Sequence, residues 1–291
     1  MFELVTAHLG AVVIEDHASG AGGALIDCSY EVGHWYIMAY MAADSTDIDR
    51  MPRGGPDASC LDRLLETDRP EYLDRDDVDD GVKRSVIRAL EWTGEFFGNH
   101  DKFAATALDL IAGVPDPKIL ELGAGHGQVS RKLLENHPTA QLTVTDINPV
   151  SVANIAAGEL GSHPRAVVRE MDATAIDAPD KSFDLAIFAL SFHHLRPAAA
   201  SRVFAEGTRV ADQLLIIDLP RPPAPLHLVR LATMLPFAPV VPFVHDGIIS
   251  SLRSYSPSAL RRLARHADPS IEVELRGGLM TPQVVIARAA G

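Results

Sequence analysis

The stretch Ile119-Leu120-Glu121-Leu122-Gly123-Ala124-Gly125-His126-Gly127-Gln128 decides the fold. A short apolar run, read as a strand, enters Gly-x-Gly-x-Gly where a helical pattern starts. Glycines let the backbone come close to a ligand, and the free amides at a helix start can face it. The next β-branched run, Leu142 to Thr145, ends at Asp146. A carboxylate in that place can accept hydrogen bonds from both hydroxyls of a ribose. A dinucleotide fingerprint, G-x-G-x-x-G, would need its last glycine at Gln128, and Glu121 would set a carboxylate beside phosphates. An acid there suits a cationic ligand instead.

Outward from this segment, strands and helices alternate. Helices are expected over Val129 to Glu135, Val150 to Ala157, Pro197 to Val210 and Ser258 to His266. Strands are expected at Ala166 to Val168, Phe183 to Leu190, Leu214 to Ile217, Ile271 to Leu275 and Val284 to Ala287. Such alternation implies a parallel sheet covered on both faces. The last two strands are joined by too few residues for a crossover helix, so that pair should be antiparallel.

The 291 residues carry a formal charge of −13, of which residues 1–116 hold 23 acidic and only 9 basic side chains. That asymmetry suggests a distinct N-terminal part over 1–116, expected to be an accessory cap on a main domain over 117–291. An acidic chain is a poor partner for nucleic acid. Cys28 and Cys60 are the only cysteines, without zinc spacing or a disulfide framework. The N-terminus lacks the basic-then-apolar order of a secretory signal, and the apolar stretch 226–244 is broken by three prolines. A cytoplasmic chain with no membrane span is expected. Within the cap, Ala11 to Ile14 and Ala24 to Cys28 suggest a hairpin, and about 42–59 a mobile loop. Helices are expected over 81–97, with an apolar stripe Val82, Val86, Leu90 and Phe97 flanked by Ala89, Thr93 and Phe96, and over 102–112. The acidic run Asp74 to Asp80 lacks the ligand spacing of a calcium loop and reads as a turn favouring the following helix N-terminus.

Taken together, Glu121 to Gly127, Asp146, Asp172-Ala173, Phe183-Asp184-Leu185-Ala186 and Leu190-Ser191-Phe192-His193-His194-Leu195 resemble the class I S-adenosylmethionine-dependent methyltransferases, small-molecule type. The resemblance covers about 117–290. It implies an α/β, Rossmann-like seven-stranded sheet with a reversed final strand, helices on both faces, and S-adenosylmethionine as cofactor. By the same resemblance, Gly123, Ala124 and Gly125 shape the loop around the methionine part and ribose, and Glu121 lies near the amino acid end. Asp146 takes the ribose hydroxyls, Ile147 packs on adenine, and Asp172 with Ala173 meets the adenine edge, with Leu190 completing the cofactor set. His126 departs from the small polar residue often found at its place.

Positioning contributes more to transfer from an activated sulfonium than a base does. For a hydroxyl acceptor, a histidine near neutral pH is nonetheless the natural base. His193, His194 and His245 are the candidates, with His34 and His100 behind them. Because His193 and His194 are adjacent, at most one is expected to face the acceptor. The insert at about 219–251 and the aromatic segment 35–41 suggest a lid over an apolar small-molecule acceptor, or else a homodimer contact. No metal is expected. The activity implied is methylation of an oxygen, less readily nitrogen or carbon, on a phenolic, quinone or polyketide-like molecule. The alternatives are an NAD(P)-dependent oxidoreductase and a noncatalytic S-adenosylmethionine-binding protein.

Overall fold

The computed structural model describes residues 48–278 and 281–290. The expected N-terminal hairpin, the aromatic segment 35–41 and His34 lie outside the described residues. In chain order the helices are α1 Cys60–Leu64, α2 Asp80–Phe96, α3 Asn99–Leu110, α4 Gln128–Asn136, α5 Pro149–Ala157, α6 Glu159–Ser162, α7 Pro197–Val210, α8 Ala224–Met234, α9 Pro242–Arg253 and α10 Pro257–Ala267. The strands are β1 Lys118–Leu122, β2 Gln141–Asp146, β3 Ala166–Glu170, β4 Phe183–Ala189, β5 Ala211–Asp218, β6 Ile271–Gly277 and β7 Gln283–Ala289. They form one sheet in the order β3-β2-β1-β4-β5-β7-β6. Strands β1 to β5 run parallel, while β7 lies antiparallel to both β5 and β6.

Burial explains why the central strands are apolar throughout: both faces of β1 and β4 are covered. On one face, α7 and α10 bring Phe204, Val203 and Leu263 onto Leu120, Ala186 and Leu214. On the other, α3, α4 and α5 bring Phe103, Leu133 and Ile155 onto Ile119, Leu185 and Leu215. Fully burying a side chain such as Phe204 stabilises by about 1.5–3 kcal/mol. Helix α3, assigned from the sequence to the cap, shares this second core, so one hydrophobic core runs across residue 117.

The chain winds outward from β1 to β3, then returns to start β4 on the other side of β1. The carboxyl ends of β1 and β4 therefore flank the point where the winding reverses, the place where open α/β sheets bind ligands.

Three expectations change in detail. The 48–59 part of the expected mobile loop is pinned: Arg53 is buried, and its guanidinium donates to the carbonyls of His193 (2.7 Å) and Arg253 (2.5 Å). A lone arginine in a Gly/Pro-rich run gave no sign of these distant carbonyls. The 219–251 insert is two helices, α8 and α9, each opened by prolines in its first turn, where a missing N–H costs nothing. In α2, Val86 is buried, but Phe96 is exposed and stacks on Trp92 at 5.2 Å. Asp79 caps α2, its carboxylate accepting from the Gly81 amide at 2.7 Å, as the turn reading expected. Among the described residues, no helix is long and apolar enough to cross a membrane.

Candidate active site

A cavity of about 640 Å³ opens at the reversal point. One wall is the loop between β1 and α4. Gly123, Gly125 and Gly127 all have φ between 58° and 70°, the left-handed region that glycine adopts without strain. At Gly123 a Cβ would also stand 2.5 Å from the Phe188 ring and 2.8 Å from Ser191 Oγ. At Gly125 a Cβ would meet nothing within 4 Å, so this position fronts open space.

The loop is held from behind. Asp146 Oδ2 accepts from the Gly125 amide at 2.8 Å, and its Oδ1 accepts from the Asn148 amide at 2.8 Å. Asp146 thus braces the glycine loop while keeping lone pairs for a diol. Glu121 is buried at the carboxyl end of β1 and accepts from Ser130 Oγ on α4. Burial pushes its carboxyl up to about 7, against the opposing Ser130 hydrogen bond.

Glu121, Gly123, Ala124, Gly125 and Leu190 line the cavity together. Leu190 leaves β4 with φ 57°, unusual for a residue with a Cβ, and its amide donates to Ile217 O at 2.7 Å. Asp146, Ile147, Asp172 and Ala173 are not part of the cavity lining; they sit at and just beyond the ends of β2 and β3. Ile147 is exposed, and Asp172 Oδ1 accepts from both the amide and the hydroxyl of Thr174 at 2.8 Å. Both groups lie at the carboxyl edge of the parallel strands. The residues therefore fit S-adenosylmethionine as cofactor: an open glycine front, a buried acid at the end of β1 and a second carboxylate, Asp146, at the end of β2.

The opposite wall is apolar and comes from three helices. From α2 and the turn after it come Val86, Leu90 and Phe97; from α8, Met234; from α9 and its first turn, Phe243 and Val244. The α2 stripe thus faces the cavity rather than the core, which is why Leu90 stays 45% exposed. His100 also lines it, packed under Gly94, and burial lowers its basicity.

Between the two walls lies a charged cluster. His193 follows β4 in a 3-10 turn, Phe192–His194, and is buried. Both Asp218 oxygens hold it: Oδ2 accepts from the His193 amide at 2.7 Å, and Oδ1 lies 2.7 Å from its Nδ1. Its Nε2 is buried without a hydrogen-bond partner, 3.5 Å from Glu71 Oε1. Glu71 is itself buried and accepts from Ser250 Oγ of α9 at 2.6 Å. Desolvation opposes charge on His193, but Asp218 and then Glu71 outweigh it and raise its proton affinity. His194 points the same way, with Nε2 3.9 Å from Glu71 Oε1 and Nδ1 3.3 Å from Asp74 Oδ2. Burial would lift the Asp74 carboxyl, yet His194 and Arg253 (3.1 Å) hold it down to about 2.

Both His193 and His194 line the cavity, contrary to the expectation that adjacency admits only one. The tight turn tilts the rings by only 34°, with centroids 4.4 Å apart, so they face one space together. His245 is not in the lining; it stacks on Tyr72 at 3.9 Å and pairs with Asp246 at 2.9 Å. Glu71, Asp74, Asp218 and Ser250 were missed from the sequence. Only Asp218, a carboxylate at a strand end next to the reversal point, offered a readable signal.

Residues 119–213 match a family described as a methyltransferase domain. The eEF1A lysine and N-terminal methyltransferase homolog of Drosophila pseudoobscura pseudoobscura is 30% identical over 129 residues, 43% of this chain. The chain spans only 17% of the length of that relative. The demethylmenaquinone methyltransferase of Thermus thermophilus is 27% identical over 197 residues, 62% of this chain and 86% of that protein. Among solved structures, the plantazolicin methyltransferase BpumL, in complex with a monoazolic desmethylPZN analog and SAH, superposes with a TM-score of 0.57 at 12% identity. That likeness covers 79% of this chain and 96% of BpumL and concerns the fold.

Proposed function

We propose that this chain, whose sheet domain belongs to the class I S-adenosylmethionine-dependent methyltransferases, methylates an oxygen of a mostly apolar small molecule. The observation that carries the reading is the continuity of one cavity from the glycine loop, past the His193 and His194 rings, to the apolar wall of α2, α8 and α9. The cofactor supplies an activated methyl group on a sulfonium. Everything else falls to the protein: to hold the two molecules in line, to exclude water and to handle the acceptor's proton.

Glu121, Gly123, Ala124 and Gly125 hold the methionine end, with Asp146 on the ribose and Ile147, Asp172 and Ala173 about the adenine. Leu90, Phe97, Met234 and Phe243 give an acceptor an apolar bed, which agrees with the quinone named for the Thermus relative. Oxygen is favoured as the attacked atom because the polar groups next to the cradle are Glu71, His193 and His194, a set suited to an ionising hydroxyl. His193 keeps one ring orientation because Asp218 binds it twice. His245 has no part in this step.

The test is incubation with S-adenosylmethionine and a panel of apolar phenols, quinols and hydroxylated polycycles beside charged small molecules, peptides and RNA. Mass spectrometry reads the products. Gain of one methyl on an apolar hydroxyl compound is expected. Turnover confined to charged acceptors, protein or RNA would overturn the acceptor reading.

A further inference from the structure

We propose that Glu71, His193 and His194 form a binding site for a divalent transition-metal ion inside the cavity. Three ligand atoms, one from each residue, lie within 4.8 Å of one another. The two closest separations to Glu71 Oε1 are 3.5 Å from His193 Nε2 and 3.9 Å from His194 Nε2. Two ligands about 2.1 Å from one ion at a tetrahedral angle stand roughly 3.4 Å apart, so a small inward movement of His194 completes the site.

Three further observations point to an ion. First, His193 Nε2 is a buried ring nitrogen with no hydrogen-bond partner, and it is aimed at this space. Second, each ring is oriented through its other nitrogen by a carboxylate, Asp218 for His193 and Asp74 for His194. Carboxylates behind ligating histidines are the usual outer support of a metal site. Third, the charges balance. Arg253 answers Asp74, which leaves Glu71 and Asp218 as two buried carboxylates. In the metal-free protein a proton on His193 answers one of them; a divalent ion taking that proton's place, held by neutral imidazoles, offsets both.

Two imidazoles and one carboxylate select first-row transition ions such as Zn²⁺ or Co²⁺ over Mg²⁺ or Ca²⁺, which prefer oxygen ligands. Three protein ligands leave coordination positions open toward the cavity, where an oxygen of a bound molecule can enter. Metal binding engages the same three side chains that the proposed reaction turns toward the acceptor, and it is measured without cofactor or acceptor.

The experiment titrates untagged, chelator-stripped full-length protein with CoCl₂, read by visible absorption, and with ZnCl₂ by calorimetry. Glu71→Gln, His194→Ala and His266→Ala are compared, with MgCl₂ as a control ion. Loss of an outer partner typically costs 10–100-fold in affinity, so loss of a ligand should cost at least about 100-fold. The expected result is one Co²⁺ per wild-type chain, weakened by that factor in Glu71→Gln and His194→Ala and unchanged in His266→Ala. Each variant is first shown to be folded by circular dichroism and to keep its affinity for SAH; Glu71→Gln is nearly isosteric and His194 is partly exposed, so both should fold even where the melting temperature falls. No saturable Co²⁺ or Zn²⁺ binding by the wild type, or equal binding by the two ligand variants, would overturn the site. Neither outcome touches the methyltransferase reading, which fails only if SAH does not bind.

Discussion

On the glycine wall of the cavity, Gly123 is fixed twice, by a left-handed φ of 60° and by the Phe188 ring behind it. Across the cavity, Leu90 and Phe97, from α2 and its C-terminal end, are 45% and 57% exposed. The first wall is part of the sheet's reversal point and cannot change without moving β1 and β4. The second rests on α2, α8 and α9 and can be recut residue by residue. Under the proposed function a rigid side would hold the cofactor and an adaptable side the acceptor, with the Glu71–His193–Asp218 cluster between them.

The sharpest break in this comparison is at the join. Asp218→Asn leaves His193 without its charge partner, and breaking a buried ion pair costs about 3–5 kcal/mol. Urea unfolding should show that loss, while SAH affinity, set on the glycine wall, stays within about twofold. Equal loss of SAH affinity would merge the two walls into one unit.

Next in size is a pH effect seated on the rigid wall. The native state holds the Glu121 proton up to about pH 7, whereas the unfolded chain releases it near 4.5. The stabilisation is therefore complete below pH 4.5 and is lost as pH rises through 7, by roughly 3 kcal/mol. Glu121→Gln should flatten that slope in cofactor-free protein. An unchanged slope would place the titration elsewhere.

Gly123→Ala adds a methyl where the Phe188 ring stands and forces a left-handed alanine. The expected cost is about 2 kcal/mol of stability together with loss of measurable SAH binding by calorimetry. Leu90→Ala is the mild counterpart on the other wall. It should leave stability within about 0.5 kcal/mol and SAH affinity unchanged, yet raise the acceptor KM by about tenfold.

The same division governs what could be read from the sequence. The glycine wall is contiguous, ten residues from Ile119 to Gln128, and strand order follows from the alternation around it. Each strand expected after residue 117, the reversed last pair and the Pro197–Val210 helix stand where the pattern put them. The charged join was only half legible. His193 and His194 follow β4 directly, but Glu71, Asp74 and Ser250 come from segments about 120 and 60 residues away in sequence, and nothing local marks them. Arg53 is similar: its partners are two carbonyls, which carry no side-chain signal. His245 lies outside the cavity lining, held by stacking on Tyr72 and by Asp246, partners that its place in the sequence did not show.

The central claim, a cofactor cradle built on the rigid wall, is tested most directly by thermal unfolding of the full chain with S-adenosylmethionine, SAH, NAD and NADP in parallel, repeated on Asp146→Ala. A ligand at 100 times its dissociation constant stabilises by about 2.7 kcal/mol. The account predicts that upward shift with the two sulfur ligands alone, and its disappearance in Asp146→Ala, where both the proposed ribose contact and the brace on Gly125 are gone. A shift with the nicotinamides and none with the sulfur ligands would contradict it.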